Sequence, residues 1–387
     1  MKKNILFLVS DMESGGFQKS LISLLQCFNY RMYNVDLLIF SPKGIFIEQI
    51  PKQVNIIKMD ISSEFFTRFP KCVIKLIKEK ELVLAIKRLI HFILSRFDKG
   101  IAAEYMAKQF AALHKEYDVA IDYNGQQILY YMVDKINAKK KISYFHSDYK
   151  RWSYYKNSDK KYYPKIDYIV TISDICKKSL DDIFPECKEK TRVIHNISSP
   201  KIIKELAVKK CPVDFDKAYI NLVMVGRPSK VKGYDFAIEA CYKLKHDGYK
   251  VKFYSIGTSN EVGKFKKLVK VFNIEEEFIF IGETDNPYTF LRQADIYIHP
   301  SRFEGKSVAI DEAKILCKPI IITSFTTSKD HINNEVNGLI VNMNSKSLYQ
   351  GVKKIIENPY LREKFSYNLS KENLGNEKEV NKLYELI

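Results

Sequence analysis

The stretch Val223-Met224-Val225-Gly226-Arg227-Pro228-Ser229-Lys230-Val231-Lys232-Gly233-Tyr234 decides how this chain is read. An apolar run ends in a glycine-bearing polar loop and a helical pattern follows, the succession from which parallel α/β sheets are built. Outward from it the pattern recurs. Strand-like segments cover Asn221 to Val225, Val251 to Ile256, Phe278 to Ile281, Ile296 to His299, Ile320 to Thr323 and Gly338 to Val341. An earlier series covers Ile5 to Val9, Val35 to Phe40, Val54 to Met59, Val119 to Ile121, Ile142 to Phe145 and Tyr168 to Ile172. Its first strand enters Ser14-Gly15-Gly16 before a helix with Leu21, Leu24 and Leu25 on one side. Strands alternating with helices imply sheets covered on both faces. The chain therefore reads as α/β, two Rossmann-like doubly wound parallel-sheet domains, with ligands expected in a cleft at the carboxyl ends of facing strands.

Length agrees, because 387 residues exceed what one core usually organises. The lysine-rich segment from Ser198 to Lys217 separates the two series. It sets an N-terminal domain at 1–198 and a second at 199–365. A formal charge of +17 asks for an anionic partner, with nucleotide diphosphate, anionic lipid and nucleic acid all eligible. No recognition-helix motif, RNA-binding aromatic signature or zinc finger supports specific nucleic-acid binding. The seven cysteines are scattered, with no C-x-x-C pair or zinc spacing, and read as free thiols of a reducing, cytoplasmic compartment. Met1-Lys2-Lys3 followed by Ile5 to Val9 is too short for a secretory signal and meets Asp11 and Glu13 at once. No window reaches about 18 uncharged apolar residues, so a soluble or peripheral protein is expected.

Phe65 to Lys99 departs from the α/β regularity. It mixes Phe65, Phe66, Phe69, Val73, Leu76 and Ile77 with Arg68, Lys71, Lys75, Lys78, Lys87, Arg88 and Arg96, as in a basic amphipathic helix or helix pair. Such a segment either lies on an anionic membrane surface or covers the domain with its lysines solvated.

The chemistry concentrates in Pro300-Ser301-Arg302-Phe303-Glu304-Gly305-Lys306-Ser307-Val308-Ala309-Ile310-Asp311-Glu312-Ala313. If a helix starts near Gly305, the eight residues from Glu304 to Glu312 advance about 12 Å and return to within roughly 80° of the starting face. Two carboxylates could then grip the two ends of one extended ligand. Gly305, Lys306, Ser307 and Val308 would offer open amides at the helix N-terminus, where phosphate is favoured. In the opening stretch, Arg227 and Lys232 are placed to neutralise a diphosphate, one as a planar fork and one as a mobile point charge. Taken alone, each of these residues is an ordinary surface charge; their shared position after strand ends makes a phosphate site.

Together these motifs resemble family 4 of the retaining, GT-B-fold glycosyltransferases, the glycosyl transferases group 1, which share paired glutamates eight apart and a Gly-Arg…Lys-Gly loop. The likeness spans nearly the whole chain and is strongest from Asn221 to Val341, including Lys318 to Thr323 and Asn334 to Val341. The resemblance implies that Glu312 holds the nucleotide ribose, that Glu304 with the amides after it holds the donor sugar, and that Arg227 and Lys232, beside Gly226, take the diphosphate. It implies that Gly15 and Gly16 face that diphosphate and that His146 lines the acceptor side. Asn196 matches the turn leading into the second domain, and a last helix, about 366–387, is expected to cross back onto the first. The chain departs from the family in reading Ser324-Phe325-Thr326-Thr327-Ser328 where Gly-Gly is common, and Phe17-Gln18-Lys19 where an acidic-basic pair is common.

The function implied is transfer of a hexosyl unit from a nucleotide-diphosphate sugar, a UDP-sugar as the commonest donor, to a glycan or lipid-linked oligosaccharide acceptor. The setting implied is bacterial surface polysaccharide: capsule, exopolysaccharide or lipopolysaccharide. No enzymic nucleophile is required, since the acceptor attacks the face the diphosphate leaves and the leaving phosphate serves as base. Glu304, Arg227, Lys232 and His146 would be the catalytic set. No cofactor and no metal are expected, the nucleotide-sugar being a co-substrate. Asp214-Phe215-Asp216 has the spacing of a metal-binding Asp-x-Asp but precedes the second sheet, and reads as a linker turn. An epimerase of the same fold and a non-catalytic anion- or nucleic-acid-binding protein remain as rivals. A nicotinamide oxidoreductase is disfavoured because neither glycine loop reads G-x-G-x-x-G.

Overall fold

The architecture comes from a computed structural model that describes residues 2–13, 15–59 and 61–387. Ser14 of the first glycine turn lies outside the described residues. Two compact units form, Met1–Ile197 with Glu377–Ile387, and Ser198–Asn376.

The first unit holds seven parallel strands: β1 (Lys3–Val9), β2 (Tyr33–Ile39), β3 (Val54–Lys58), β4 (Leu113–Asp122), β5 (Ile136–Phe145), β6 (Tyr168–Thr171) and β7 (Thr191–Val193). Their order is β3-β2-β1-β4-β5-β6-β7. Strand alternation sends Ile5, Phe7 and Val9 into one core with Leu21, Leu24 and Leu25, and Leu6 and Leu8 into a second with Tyr130, Tyr131 and Tyr163. Burial on both faces is why these strands read as continuous apolar runs. β7 has three residues, with an exposed arginine in the middle, and carries no such run.

The second unit holds six parallel strands: β8 (Ile220–Val225), β9 (Val251–Ile256), β10 (Phe278–Gly282), β11 (Ile296–His299), β12 (Ile320–Thr323) and β13 (Leu339–Val341), in the order β10-β9-β8-β11-β12-β13. Each sheet therefore reverses its winding once, between β1 and β4 and between β8 and β11. At such a switch point the adjacent loops diverge and leave a crevice for a ligand. Asp214-Phe215-Asp216 is a structural turn: Phe215 stacks on Tyr254 at 3.7 Å between ring centres, and Asp216 accepts the Ala218 N–H at 2.9 Å.

The return to the first unit falls later than the sequence suggested. The helix Pro359–Lys371 buries Phe365 and Leu369 in the cores of the second unit, so residues from 366 to 376 stay there. The helix Glu379–Tyr384 then places Val380 and Leu383, followed by Leu386 and Ile387, in the first unit's core beside Ile5 and Phe7. An amphipathic pattern marks both helices as core-facing but does not say which core receives them.

Candidate functional site

In the second unit the loops after β8 and β11 are clasped together at the switch point. The loop from Val225 to Tyr234 turns on two glycines, with φ of 152° at Gly226 and 68° at Gly233. A Cβ at Gly233 would stand 1.8 Å from the Pro300 carbonyl oxygen, so the close approach requires glycine. Arg302 completes the clasp. Its backbone N–H donates to the Val231 carbonyl at 2.7 Å, and its guanidinium grips Asp235 through bonds of 2.7 and 2.6 Å.

Lys232 reaches across from this loop and donates from Nζ to Glu304 Oε1 at 2.6 Å. The same oxygen accepts from His299 Nε2 at 2.8 Å and from Ser301 Oγ at 2.6 Å. Glu304 is 9% exposed. Burial is the largest influence on its carboxyl and acts upward, but Lys232 and His299 together outweigh it and hold the group well below the usual carboxylate range. Burial moves His299 below the ordinary imidazole value, so the ring is neutral at pH 7. The ionised Glu304 can only accept, so the neutral ring keeps its proton on Nε2, and Nδ1, 2.8 Å from the Tyr297 hydroxyl, is left to accept from it. Lys232 is thus the formal countercharge, and His299 contributes a neutral hydrogen bond.

Glu312 lies on the helix Val308–Ile315, 2% exposed, and accepts from the Tyr288 hydroxyl at 2.9 Å. Burial first, then Glu312 and Glu304, push the Tyr297 hydroxyl well above the ordinary tyrosine value, so Tyr297 lies within the field of both carboxylates. The route by which they meet differs from the sequence expectation. The helix starts at Val308 with Ser307 as its N-cap, not near Gly305, and Glu304 is a loop residue. The reason lies in neighbouring threonines: Thr327 Oγ1 donates to the Glu304 carbonyl at 3.1 Å and Thr323 Oγ1 to the Ser301 carbonyl at 2.5 Å. These carbonyls are held by side chains of another segment instead of by helical amides. Gly305 and Lys306 accordingly belong to the loop, and Val308 opens the helix.

A second correction concerns Ser307. Its N–H, expected to be open for phosphate, donates to His331 Nε2 at 3.2 Å, and His331 faces Asp311 with Nδ1 at 3.1 Å. Arg227 is exposed on the loop after β8. His299, Ser301, Tyr288, Tyr297, Thr327 and His331 escaped the sequence reading. His299, Ser301 and Tyr297 lie inside or just before the glutamate stretch and could have been found there; Tyr288, Thr327 and His331 come from other segments and carry no local signal.

Gly15, Gly16 and His146 belong to the first unit. Gly15 is the N-cap of the helix Gly16–Gln26, and Phe17 at its start stacks on His146 with ring centres 5.9 Å apart, which brings the glycine turn and the histidine side by side. His146 Nε2 lies 3.2 Å from the Tyr123 carbonyl, and burial pushes the ring down to about 4. Gln18 takes up the space beside Gly15, its Nε2 donating to Asp11 at 2.9 Å. Asn196 Oδ1 accepts from Ser20 Oγ at 2.9 Å and ties the end of the first segment to the same helix.

Two Rossmann-like units, each with its crevice at a single switch point, define a GT-B protein. Residues 210–372, most of the second unit, match the family model described as Glycosyl transferases group 1. Among curated proteins, the chain is 27% identical over 208 residues to the Campylobacter jejuni N-acetylgalactosamine-N,N'-diacetylbacillosaminyl-diphospho-undecaprenol 4-alpha-N-acetylgalactosaminyltransferase, covering 52% of this chain and 54% of that one. It is 28% identical over 148 residues to the Staphylococcus aureus capsular polysaccharide biosynthesis glycosyltransferase CapM, covering 37% and 38%. The chain thus spans about half the length, or less, of the curated relatives it matches. Among solved structures, Anabaena HepE in complex with UDP and glucose superposes with a TM-score of 0.69 at 16% identity, covering 99% of this chain and 98% of that one.

Proposed function

We propose that the chain is a retaining glycosyltransferase of family 4 that moves a sugar from a UDP-sugar to a glycan or lipid-linked oligosaccharide in the assembly of a bacterial surface polysaccharide. The observation that carries this reading is the Lys232–Glu304 pair at the β8/β11 switch point, with Glu312 buried on the helix that follows. An ionised, rigidly held carboxylate suits sugar hydroxyls, and a carboxylate about one turn into the following helix suits a ribose diol. Arg227 and Lys232 stabilise the charge that develops on the departing diphosphate, which itself takes the acceptor proton. Glu304 already accepts three hydrogen bonds on one oxygen, a poor state for a nucleophile and a good one for a positioning group. No metal enters this scheme. The names of the Campylobacter and Staphylococcus relatives support the lipid-linked acceptor and the capsule setting.

The peripheral-membrane part of the reading rests on the inserted segment between β3 and β4. The helix Leu82–Phe97 buries only Ala85 fully among its described residues. Leu82, Ile86, Leu89, Ile93 and Phe97 form an outward stripe at helical spacing, with Ile86 59% and Phe97 86% exposed. No helix among the described residues is long and apolar enough to cross a membrane. A stripe of this size flanked by lysines suits the headgroup boundary of an anionic bilayer.

The test is calorimetric titration of uridine, guanosine and adenosine diphosphates, each without metal, into the wild type and Glu312→Ala. Binding of the uridine nucleotide that drops at least tenfold in the variant is expected. Equal binding by both folded proteins, or none by either, would remove the glutamate pair from donor recognition.

A further inference from the structure

A cavity of ≈ 860 Å³ in the first unit is lined by none of the donor residues just described. Its floor is the switch point of the first sheet: Ser10, Asp11 and Glu13 after β1, and Asn124, Gly125 and Gln126 after β4. The floor is held rigidly. Asp122, fully buried, accepts the N–H groups of Asn124 and Gly125 at 2.9 and 2.8 Å, and Gln126 sits at a φ of 52°, a left-handed conformation that a side chain adopts only under constraint. The walls are cationic: Lys43, Arg68, Lys71, Lys75 and Lys99 against the two acids Asp11 and Glu13, with Lys75 also paired to Glu64 at 2.8 Å. Asp11 is already engaged by the Gln18 side chain.

Most of that wall belongs to the inserted helices. On Leu82–Phe97, His91 and Ser95 face the cavity while Ile86, Ile90 and Ile93 face outward; on Lys71–Lys78, Lys71 and Lys75 line the cavity while Ile74 and Ile77 are exposed. Cations over a rigid floor and an apolar face behind them are the two halves of a site for an amphiphile whose head is a phosphate ester. The geometry points to this cavity as the seat of the phosphate or diphosphate of a lipid-linked acceptor, with its hydrocarbon laid along the exposed isoleucines. This rests on reading the first unit as the acceptor unit and names the part of the acceptor it grips.

The experiment uses the full chain with farnesyl diphosphate, farnesol and inorganic diphosphate as probes, titrated with the donor site saturated by uridine diphosphate. Two variants are compared, Lys71→Ala/Lys99→Ala in the cavity and Ile86→Ser/Ile93→Ser on the apolar face. Farnesyl diphosphate is expected to bind and inorganic diphosphate to bind more weakly, with farnesol weakest. The lysine variant should lose at least tenfold for both diphosphates. The isoleucine variant should lose affinity for farnesyl diphosphate alone. Unchanged farnesyl diphosphate binding by the lysine variant overturns the assignment. Equal affinity for farnesyl and inorganic diphosphate, unmoved by the isoleucine variant, overturns its lipid half and makes the ligand a free anion. Uridine diphosphate binding, read separately on each variant, stays intact if only this inference fails and is absent from the start if the donor reading itself fails.

Discussion

Glu304 and Glu312 are both buried carboxylates, yet they differ in what surrounds them, and that difference separates their expected phenotypes. Glu304→Gln keeps the shape but replaces one acceptor oxygen by a donor among three donors. It is expected to cost about 1–3 kcal/mol in stability, read as a fall in melting temperature. It should also abolish the extra affinity that a uridine diphosphate sugar has over uridine diphosphate while sparing the nucleotide itself, the reverse of Glu312→Ala. His146 carries a pH prediction. Its pKa falls from an ordinary 6.5 to about 4 on burial, so the unfolded chain takes up a proton that the folded one refuses. Stability contributed at neutral pH is therefore lost as pH falls through 6.5 toward 4, by at most about 3 kcal/mol. His146→Phe, which keeps the stacking on Phe17, should flatten that limb of a plot of unfolding free energy against pH. An unchanged slope would place the titrating group elsewhere.

At the scale of elements, the clasp between the loops after β8 and β11 depends on Gly233. Gly233→Ala adds a Cβ at 1.8 Å from the Pro300 oxygen, on a backbone with φ of 68°. The strain alone is worth about 1–2 kcal/mol, and the loops must also part, which separates Lys232 from Glu304. Loss of stability together with loss of nucleotide affinity is expected in calorimetry; loss of stability alone would mean the ion pair survives the parting. This scale is also where sequence legibility divides. The apolar strands were readable because a parallel sheet covered on both faces leaves a run with no polar interruption, as in Leu222, Val223 and Met224. Glu304, Lys232 and Glu312 were readable because strand, loop and helix follow one another in sequence. The start of the helix at Val308 was not readable, because it is decided by Thr323 and Thr327 from another strand and its loop. Likewise nothing near Ser307 announces that its amide is taken by His331.

At the scale of the molecule, the last residues belong to the first unit although the chain has just traversed the second. Deleting 377–387 removes Val380, Leu383, Leu386 and Ile387 from the first unit's core, each worth roughly 1.5–3 kcal/mol of burial. Scanning calorimetry should then show the first unit melting earlier with the second unchanged; one transition shifting as a whole would mean that the units unfold together. The inserted segment between β3 and β4 has a different standing. It supplies most of the cations of the first unit's cavity and all of the exposed isoleucine stripe, yet it contributes no strand to the sheet. If this segment seats the acceptor as proposed, acceptor choice is separable from the sheet that carries it, and a chimera bearing another protein's segment on this sheet is expected to bind that protein's acceptor.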